Sequence, residues 1–282
     1  MLAGGLTTPC RASNLYVSNI GNNTIEEFTP GGVGSVFANS GVSAPYGLAF
    51  DSVGNLYEAD NGTNTIQKFT PGGVGSVFAT GLNEPTGLAF DSAGNLYASN
   101  VGNNTIEEFT LGGVGSVFAN TGAGSEPFGI AFDSAGNLYE ANLSSNTIEE
   151  FTPGGVGSVF ATGLSNPVGL AFDSAGNLFA ANAATNMIEK FTPGGIASVF
   201  ATGLNTPFGL AFDSAGNLYA ANQGNNTIEE FTPGGVGSVF ASTGLHGPAF
   251  LTFTPEPSTW AMFAIGGVAL LLTKRLKIPN TR

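Results

Sequence analysis

The chain is poor in the residues from which most catalytic and metal centres are built. Its 282 residues include one cysteine (Cys10), one histidine (His246) and one tryptophan (Trp260). A single cysteine excludes an internal disulfide. A single histidine excludes a multi-histidine zinc site and leaves a Ser-His-Asp arrangement little to work with. Cations are scarce: seven Lys and Arg stand against twenty Asp and Glu, and four of the seven (Lys274, Arg275, Lys277, Arg282) lie at the C-terminal end. Up to Phe253 only Arg11, Lys68 and Lys190 oppose nineteen carboxylates, a balance of −16. That sign excludes nucleic acid as a partner and gives a solvated acidic surface. Helical i, i+3, i+4 spacing of apolar residues is also missing from the repeated part of the chain. Its many Gly-x-Gly strings lie between strands rather than between a strand and a helix, so they read as turns and not as phosphate loops.

What the chain has instead is a unit of about 40 residues, written out from Pro207 to Leu245 and copied along its length. The Phe that opens each FTPGG-type segment falls at Phe28, Phe69, Phe109, Phe151, Phe191 and Phe231. A fixed period in this range marks a repeat architecture. Within one unit, four short apolar runs are separated by Asp213-Ser214-Ala215-Gly216, by Gly224-Asn225-Asn226 and by Pro233-Gly234-Gly235. The Asp of the first turn can accept backbone N–H groups two residues on, and its Gly supplies a positive φ. The unit is therefore a four-stranded meander. Its strands carry apolar or small residues on both faces, as a sheet covered on both sides by its neighbours would. Radially stacked sheets of this length predict an all-β, six-bladed β-propeller; the rungs of a β-solenoid, the rival, are shorter and lack four turns per period.

The first copy lacks its opening strand, because Ala12–Asn19 already lines up with Ala215–Asn222. The missing strand reappears as Pro248–Phe253, which matches Pro207–Phe212 one period later. The propeller is thus expected over residues 14–253, its first blade closed by the C-terminal strand, after an N-terminal segment (1–13). That segment has neither the basic start nor the apolar length of a secretory signal. The expectation is that an export segment precedes it.

The phrase Pro-x-Gly-Leu-Ala-Phe-Asp-x-x-Gly-Asn-Leu-Tyr-x-Ala-Asn, followed by Asn-x-Ile-x-x-Phe-Thr-Pro-Gly-Gly, resembles the NHL repeat. It also resembles the wider group of six-bladed propellers that includes the SMP-30/gluconolactonase type. The resemblance implies the propeller fold and says little about chemistry, since such propellers serve as enzymes and as binding scaffolds.

After Phe253 the composition changes. Thr254-Pro255-Glu256-Pro257 leads into thirteen uncharged residues, Trp260–Leu272, and then a basic end. Thirteen helical residues rise about 20 Å, so a short transmembrane helix would rely on snorkelling by Lys274 and Arg275 and on Trp260 at the far interface. Residues 254–282 resemble the PEP-CTERM sorting signal of Gram-negative bacteria. That resemblance implies recognition of Pro255, Glu256 and Pro257 by a membrane-embedded exosortase, and delivery to the cell envelope or extracellular matrix.

Chemistry, if any, is expected at the channel mouth on the face carrying the Asn loops and the connectors between blades. The strand-end residues there are Asn19, Asp60, Asn100, Asn142, Asn182 and Asn222, all of which could equally cap their own loops. Departures from the consensus, Glu58, Asp60, Glu84, Glu126 and Glu140, are the places to look. Asp60 and Glu84 form a candidate oxygen-rich site for Ca²⁺; SMP-30-type lactonases use carboxylate and Asn ligands for a divalent metal. The paired glutamates (Glu26-Glu27, Glu107-Glu108, Glu149-Glu150, Glu229-Glu230) recur from blade to blade as solvated strand positions would. On these grounds a non-enzymatic scaffold without a cofactor, binding an extracellular polysaccharide or protein, is the leading expectation. A metal-dependent, lactonase-like hydrolase is the alternative.

Overall fold

A computed structural model describes residues 13–255. Twenty-four strands, from Leu15–Asn19 to Pro248–Phe253, form six four-stranded antiparallel sheets. In five of them the strands follow chain order, as in the blade built from Pro207–Phe212, Leu218–Asn222, Thr227–Phe231 and Gly237–Ala241. We number the blades 1 to 6 by their second strands. Blade 1 takes Leu15–Asn19, Thr24–Phe28 and Gly34–Ala38 from the start of the chain and its inner strand, Pro248–Phe253, from the end. Leu15 pairs with Phe253, and beyond the pair Thr254 N–H donates to Asn14 O while Asn14 N–H donates to Thr254 Oγ1. This is the closure that the displaced sixth copy predicts. It removes the open end of the array and joins its ends by a ladder of hydrogen bonds.

The sheets bury both faces because each packs on two neighbours. One apolar cluster fills each seam; Tyr57, Ala59 and Ile66 of blade 2, for instance, join Leu88, Leu96, Ala98 and Phe109 of blade 3. Residues alternate along a strand, so the second and fourth positions of each second strand face the next blade and the first, third and fifth face the previous one. The aromatic frame of a seam repeats. Tyr97 sits edge-on to Phe118 of its own blade (5.0 Å) and to Phe132 of the next (4.9 Å). Such pairs contribute about 0.5–1.5 kcal/mol beyond area burial.

Close approach of the inner strands requires glycine. A Cβ on Gly169 would stand 2.1 Å from the Phe208 carbonyl oxygen of the next blade, and one on Gly87 would stand 2.2 Å from that of Phe128. The turns form as their residues dictate: Asp51 Oδ1 accepts the N–H groups of Val53 (3.1 Å) and Asn55 (2.8 Å), with Gly54 at φ 87°. Glu256, Pro257, Lys274 and Arg275 of the expected sorting signal, and the expected short helix, lie outside the described residues.

Candidate functional site

The connectors between blades and the Asn loops lie together on one face, opposite the Asp-containing turns. Asn19, Asp60, Asn100, Asn142, Asn182 and Asn222 end the six second strands there, and all six are essentially fully buried. Five have their side-chain oxygen occupied by the connector that enters their own blade. Asp60 Oδ2 accepts Ser43 N–H (2.9 Å) and Asn100 Oδ1 accepts that of Asn83 (3.1 Å). Asn182, Asn222 and Asn19 accept the N–H groups of Ser165, Asn205 and His246, each at 3.1 Å. Asp60 Oδ1 is further engaged by Thr63 N–H (3.0 Å). Burial raises the pKa of Asp60 while those N–H groups pull it down, and burial prevails.

A second set of asparagines, which sequence reasoning treated only as loop formers, stitches neighbouring blades. Asn64, in the left-handed region at φ 57°, accepts the N–H of Glu84 on the connector into the next blade (2.7 Å). Asn23, Asn104, Asn146, Asn186 and Asn226 make the equivalent bond to Ala44, Glu126, Asn166, Thr206 and Gly247. The signal was present in the sequence, as an Asn where each loop needs a positive φ, but a local reading cannot show that its oxygen crosses to another blade.

Asn142 departs from the ring. The connector into its blade is the longest, two residues longer than those into blades 3, 5 and 6 and one longer than those into blades 1 and 2, and its Ser125 N–H turns back to Gly122 O rather than to Asn142. Both polar atoms of Asn142 are buried without a hydrogen-bond partner, as are both carboxyl oxygens of Glu140 two residues before it and of Glu58 in blade 2. Burial holds the Glu58 and Glu140 carboxyls well above the usual carboxylate range; Asp60 adds to the shift at Glu58, and Glu149 at Glu140. Glu140 lies directly across the ladder from Glu149, whereas Glu58 lies across from uncharged Gln67. Glu149 is close enough to Asn142 for the amide to moderate its burial-raised pKa, yet the contact falls short of hydrogen-bond geometry.

The paired glutamates are not solvated positions. Their first members face the previous blade: Glu26 is buried, and burial raises the pKa of Glu26, Glu107, Glu149 and Glu229. Their second members anchor tyrosines. Tyr16 Oη donates to Glu27 Oε1 (2.7 Å), and the pairs Tyr97–Glu108, Tyr139–Glu150 and Tyr219–Glu230 repeat the contact. A sheet covered on both sides has no solvent face, so a polar strand residue there either finds a partner, as the tyrosine-bound glutamates do, or is buried without one, as Glu58 and Glu140 are.

Glu84 is exposed on the connector, while Asp60 is buried with its oxygens turned to backbone N–H groups. Among the described residues no three His, Cys, Asp or Glu side chains converge as a metal-binding group. His246 is exposed on the connector into the closing strand, and its charge favours the ionised form of Glu26. The geometry defines a six-bladed propeller with a buried, self-capped polar ring and one irregular blade.

The model of the virginiamycin B lyase family matches residues 7–271, and the chain belongs to that family. No curated protein matches it in sequence. Among solved structures it is similar to a chain of a nidogen/laminin complex (23% identity, 86% of this chain and 99% of that one, TM-score 0.79). It is also similar to a streptogramin B lyase (18%, 89% and 93%, 0.69) and to a catalytically inactive histidine-to-alanine form of the virginiamycin B lyase of Staphylococcus aureus with quinupristin (19%, 89% and 94%, 0.67). At these identities the likeness is one of fold.

Proposed function

We propose that the chain is an exported six-bladed propeller acting as a non-enzymatic binding scaffold, sorted to the cell envelope or matrix through Pro255-Glu256-Pro257, the apolar segment after it and the basic Lys274 and Arg275. The observation that carries the scaffold reading is the commitment of five of the six ring side chains to capping their own connectors. A ring so engaged offers few free groups for catalysis. The near-identical blades meanwhile repeat their outer surfaces, and repeated equivalent sites suit multivalent binding. The partners are an exosortase-type enzyme and an extracellular polysaccharide or protein; the scaffold needs no cofactor. Fractionation of cells making the protein, with and without Pro255-Glu256-Pro257 replaced by alanines, tests the sorting. Sedimentation of the purified protein with matrix polysaccharide tests the binding, and loss of both would remove the reading.

A second reading has an observation of its own. The unpartnered atoms of Glu140 and Asn142, with Glu149 opposite, gather oxygen ligands in the blade whose connector is the longest. A Ca²⁺-dependent hydrolase or a lyase would draw on these groups or on Asp60 and Glu84, with His246 as its one histidine; a histidine replacement accompanies inactivity in the S. aureus relative. Calorimetric titration with Ca²⁺, followed by assay of lactones and of a streptogramin B depsipeptide, decides between the two. One stoichiometric ion, with turnover abolished in His246→Ala, favours the enzyme.

A further inference from the structure

The third strands carry Glu27, Glu108, Glu150 and Glu230 in four blades, but Lys68 and Lys190 in the other two. Those lysines do not point freely into water. Lys68 Nζ stands 3.9 Å from Asp51 Oδ2 and 5.0 Å from the centroid of the Tyr57 ring. Lys190 Nζ stands 3.6 Å from Asp173 Oδ2 and 5.1 Å from the centroid of the Phe179 ring. Each ammonium thus rests between the carboxylate of a turn and an aromatic face, a placement favoured by both charge and ring quadrupole.

The same cavity exists between blades 3 and 4, without the lysine. It measures about 520 Å³ and is lined by Asp91, Asp133 and Glu108 together with Tyr97, Phe118 and Phe132. Its aromatic frame matches that of the lysine blades. Tyr97 lies 5.0 and 4.9 Å from its two phenylalanines, Tyr57 lies 4.9 and 5.1 Å from its own, and Phe179 lies 4.9 and 5.0 Å from its own. The lysine-bearing cavity between blades 5 and 6 has two aspartates, Asp173 and Asp213, and its ammonium. The cavity between blades 3 and 4 has three carboxylates and no cation among its lining residues.

We propose that the cavity between blades 3 and 4 binds a primary ammonium on an alkyl stem, the side chain of a partner's lysine, in the place that Lys68 and Lys190 fill in their own blades. The second observation behind this site is the ligand group itself, seated twice in the same ring on the same kind of frame. The acidic balance of the propeller draws cationic partners towards it, and the aromatic walls accept the apolar stem. The site lies on the face of the Asp turns, away from the connector face, so it names a partner class for the scaffold reading without depending on it.

The test titrates the full chain with N-acetyl-lysine methylamide and with its Nζ-acetylated form, following the aromatic resonances by NMR. The Glu108→Lys variant supplies its own ammonium, as blades 2 and 5 do, and so blocks the cavity. A variant carrying Val77→Lys and Val159→Lys makes the same change in net charge at outer-strand positions that are each 57% exposed. Expected are saturable shifts of Tyr97, Phe118 and Phe132 with the amine, at least tenfold weaker with the acetylated form and in Glu108→Lys, and unchanged in the double-valine variant. Equal binding by Glu108→Lys and the parent, or equal loss in both variants, overturns the proposal. Should Glu108→Lys fail to fold, Glu108→Gln removes one charge from the cavity and must weaken the amine's shifts at least threefold. Failure here with matrix binding intact removes the cavity alone; the reverse removes the scaffold reading alone.

Discussion

Seams 4/5 and 5/6 and seams 1/2 and 3/4 are built on one plan and differ in one layer of chemistry. In the first pair the third position of the second strand is Ala180 or Ala220, packed in an apolar cluster against Ala141 or Ala181 of the previous blade. In the second pair it is Glu58 or Glu140, and the previous blade offers Ser18 or Ser99, whose hydroxyls cross the seam to the carbonyls of Tyr46 and Phe128. In seam 3/4 the glutamate has not widened the gap. The inner-strand glycine that faces seam 3/4, Gly87, is as close to the next blade as Gly129 facing 4/5 or Gly169 facing 5/6, with Cβ-to-carbonyl distances of 2.2, 2.2 and 2.1 Å. In seam 1/2 Phe250 of the closing strand stands at the glycine position. Where the inner strand carries that glycine, it sets the spacing, and the layer above must accept whatever the sequence places there. A carboxyl placed there is buried without a partner.

The largest expected effect breaks both kinds of seam alike. Gly169→Ala and Gly87→Ala each drive a Cβ into a backbone carbonyl that no rotamer can move, unlike a clash with the end of a flexible side chain. Overpacking of this kind costs about 3 kcal/mol or more, which for a domain of this size lowers the midpoint by roughly 6–12 °C. Thermal unfolding of the two variants should give similar losses. A loss at Gly169 alone would mean that the acid seams are looser than the apolar ones.

Replacing the acids by the alanine of the other seams sharpens the contrast in the opposite direction. An unpartnered buried polar group costs about 1–3 kcal/mol, so Glu58→Ala and Glu140→Ala should each raise stability at neutral pH. Sites this far apart in the ring should add. If either variant is less stable than the parent, its glutamate has a partner, a water or a cation, that satisfies it.

The same pair governs pH dependence. Unfolded glutamate titrates near about 4.3, and burial raises the folded values of Glu58 and Glu140 well above that. Between the unfolded and folded values the native state holds protons that the unfolded chain has lost, so stability is full below the unfolded value and declines as pH rises through the folded one. Asp60 and the Tyr16–Glu27 pair share seam 1/2 with Glu58; Glu149 and the Tyr97–Glu108 pair share seam 3/4 with Glu140. All of these are acidic or hydroxylic, so none offsets an ionised carboxylate. Unfolding midpoints measured from pH 5 to 9 should fall for the parent and fall less for the double alanine variant. Parallel curves would remove the two glutamates as the cause.

Much of this was legible in the repeat. The period, the four turn signals and the displaced copy at Pro248–Phe253 lead directly to the sheets and to the blade that closes them, because turn chemistry is local and the period counts blades. The seams were not legible. In a sheet covered on both sides, alternation no longer separates a wet face from a dry one, so Glu107 and Glu108 read as solvated when one faces the previous blade and the other holds Tyr97. Glu58 and Glu140 stood out as departures from consensus, but their lack of partners depends on what the neighbouring blade presents. The capping role of Asn100 was legible as one of two readings. The bond from Asn64 to Glu84 was not, since it joins one blade's loop to the connector into the next.

The smallest expected effect asks whether a seam's outer layer matters as much as its middle. Tyr139 reaches Glu150 with its hydroxyl, while the equivalent residue of blade 5 is Phe179, accompanied by Lys190 in place of the glutamate. Tyr139→Phe keeps the edge-on contacts with Phe160 (5.1 Å) and Phe172 (5.0 Å) and removes only the hydrogen bond. Glu150 is half-buried, so water can replace part of what the hydroxyl gave; the loss should be about 0.5–1.5 kcal/mol. Adding Glu150→Lys rebuilds the blade 5 pair, with the ammonium over the phenyl ring and near Asp133, a contact worth about 0.5–1 kcal/mol at an exposed site. The double variant should therefore recover most of the loss, and chemical denaturation of the parent, the single and the double variants measures it. If the double variant is the least stable of the three, the two aromatic-partner solutions are not interchangeable between blades, and the lysine of blade 5 depends on something its own seam alone supplies.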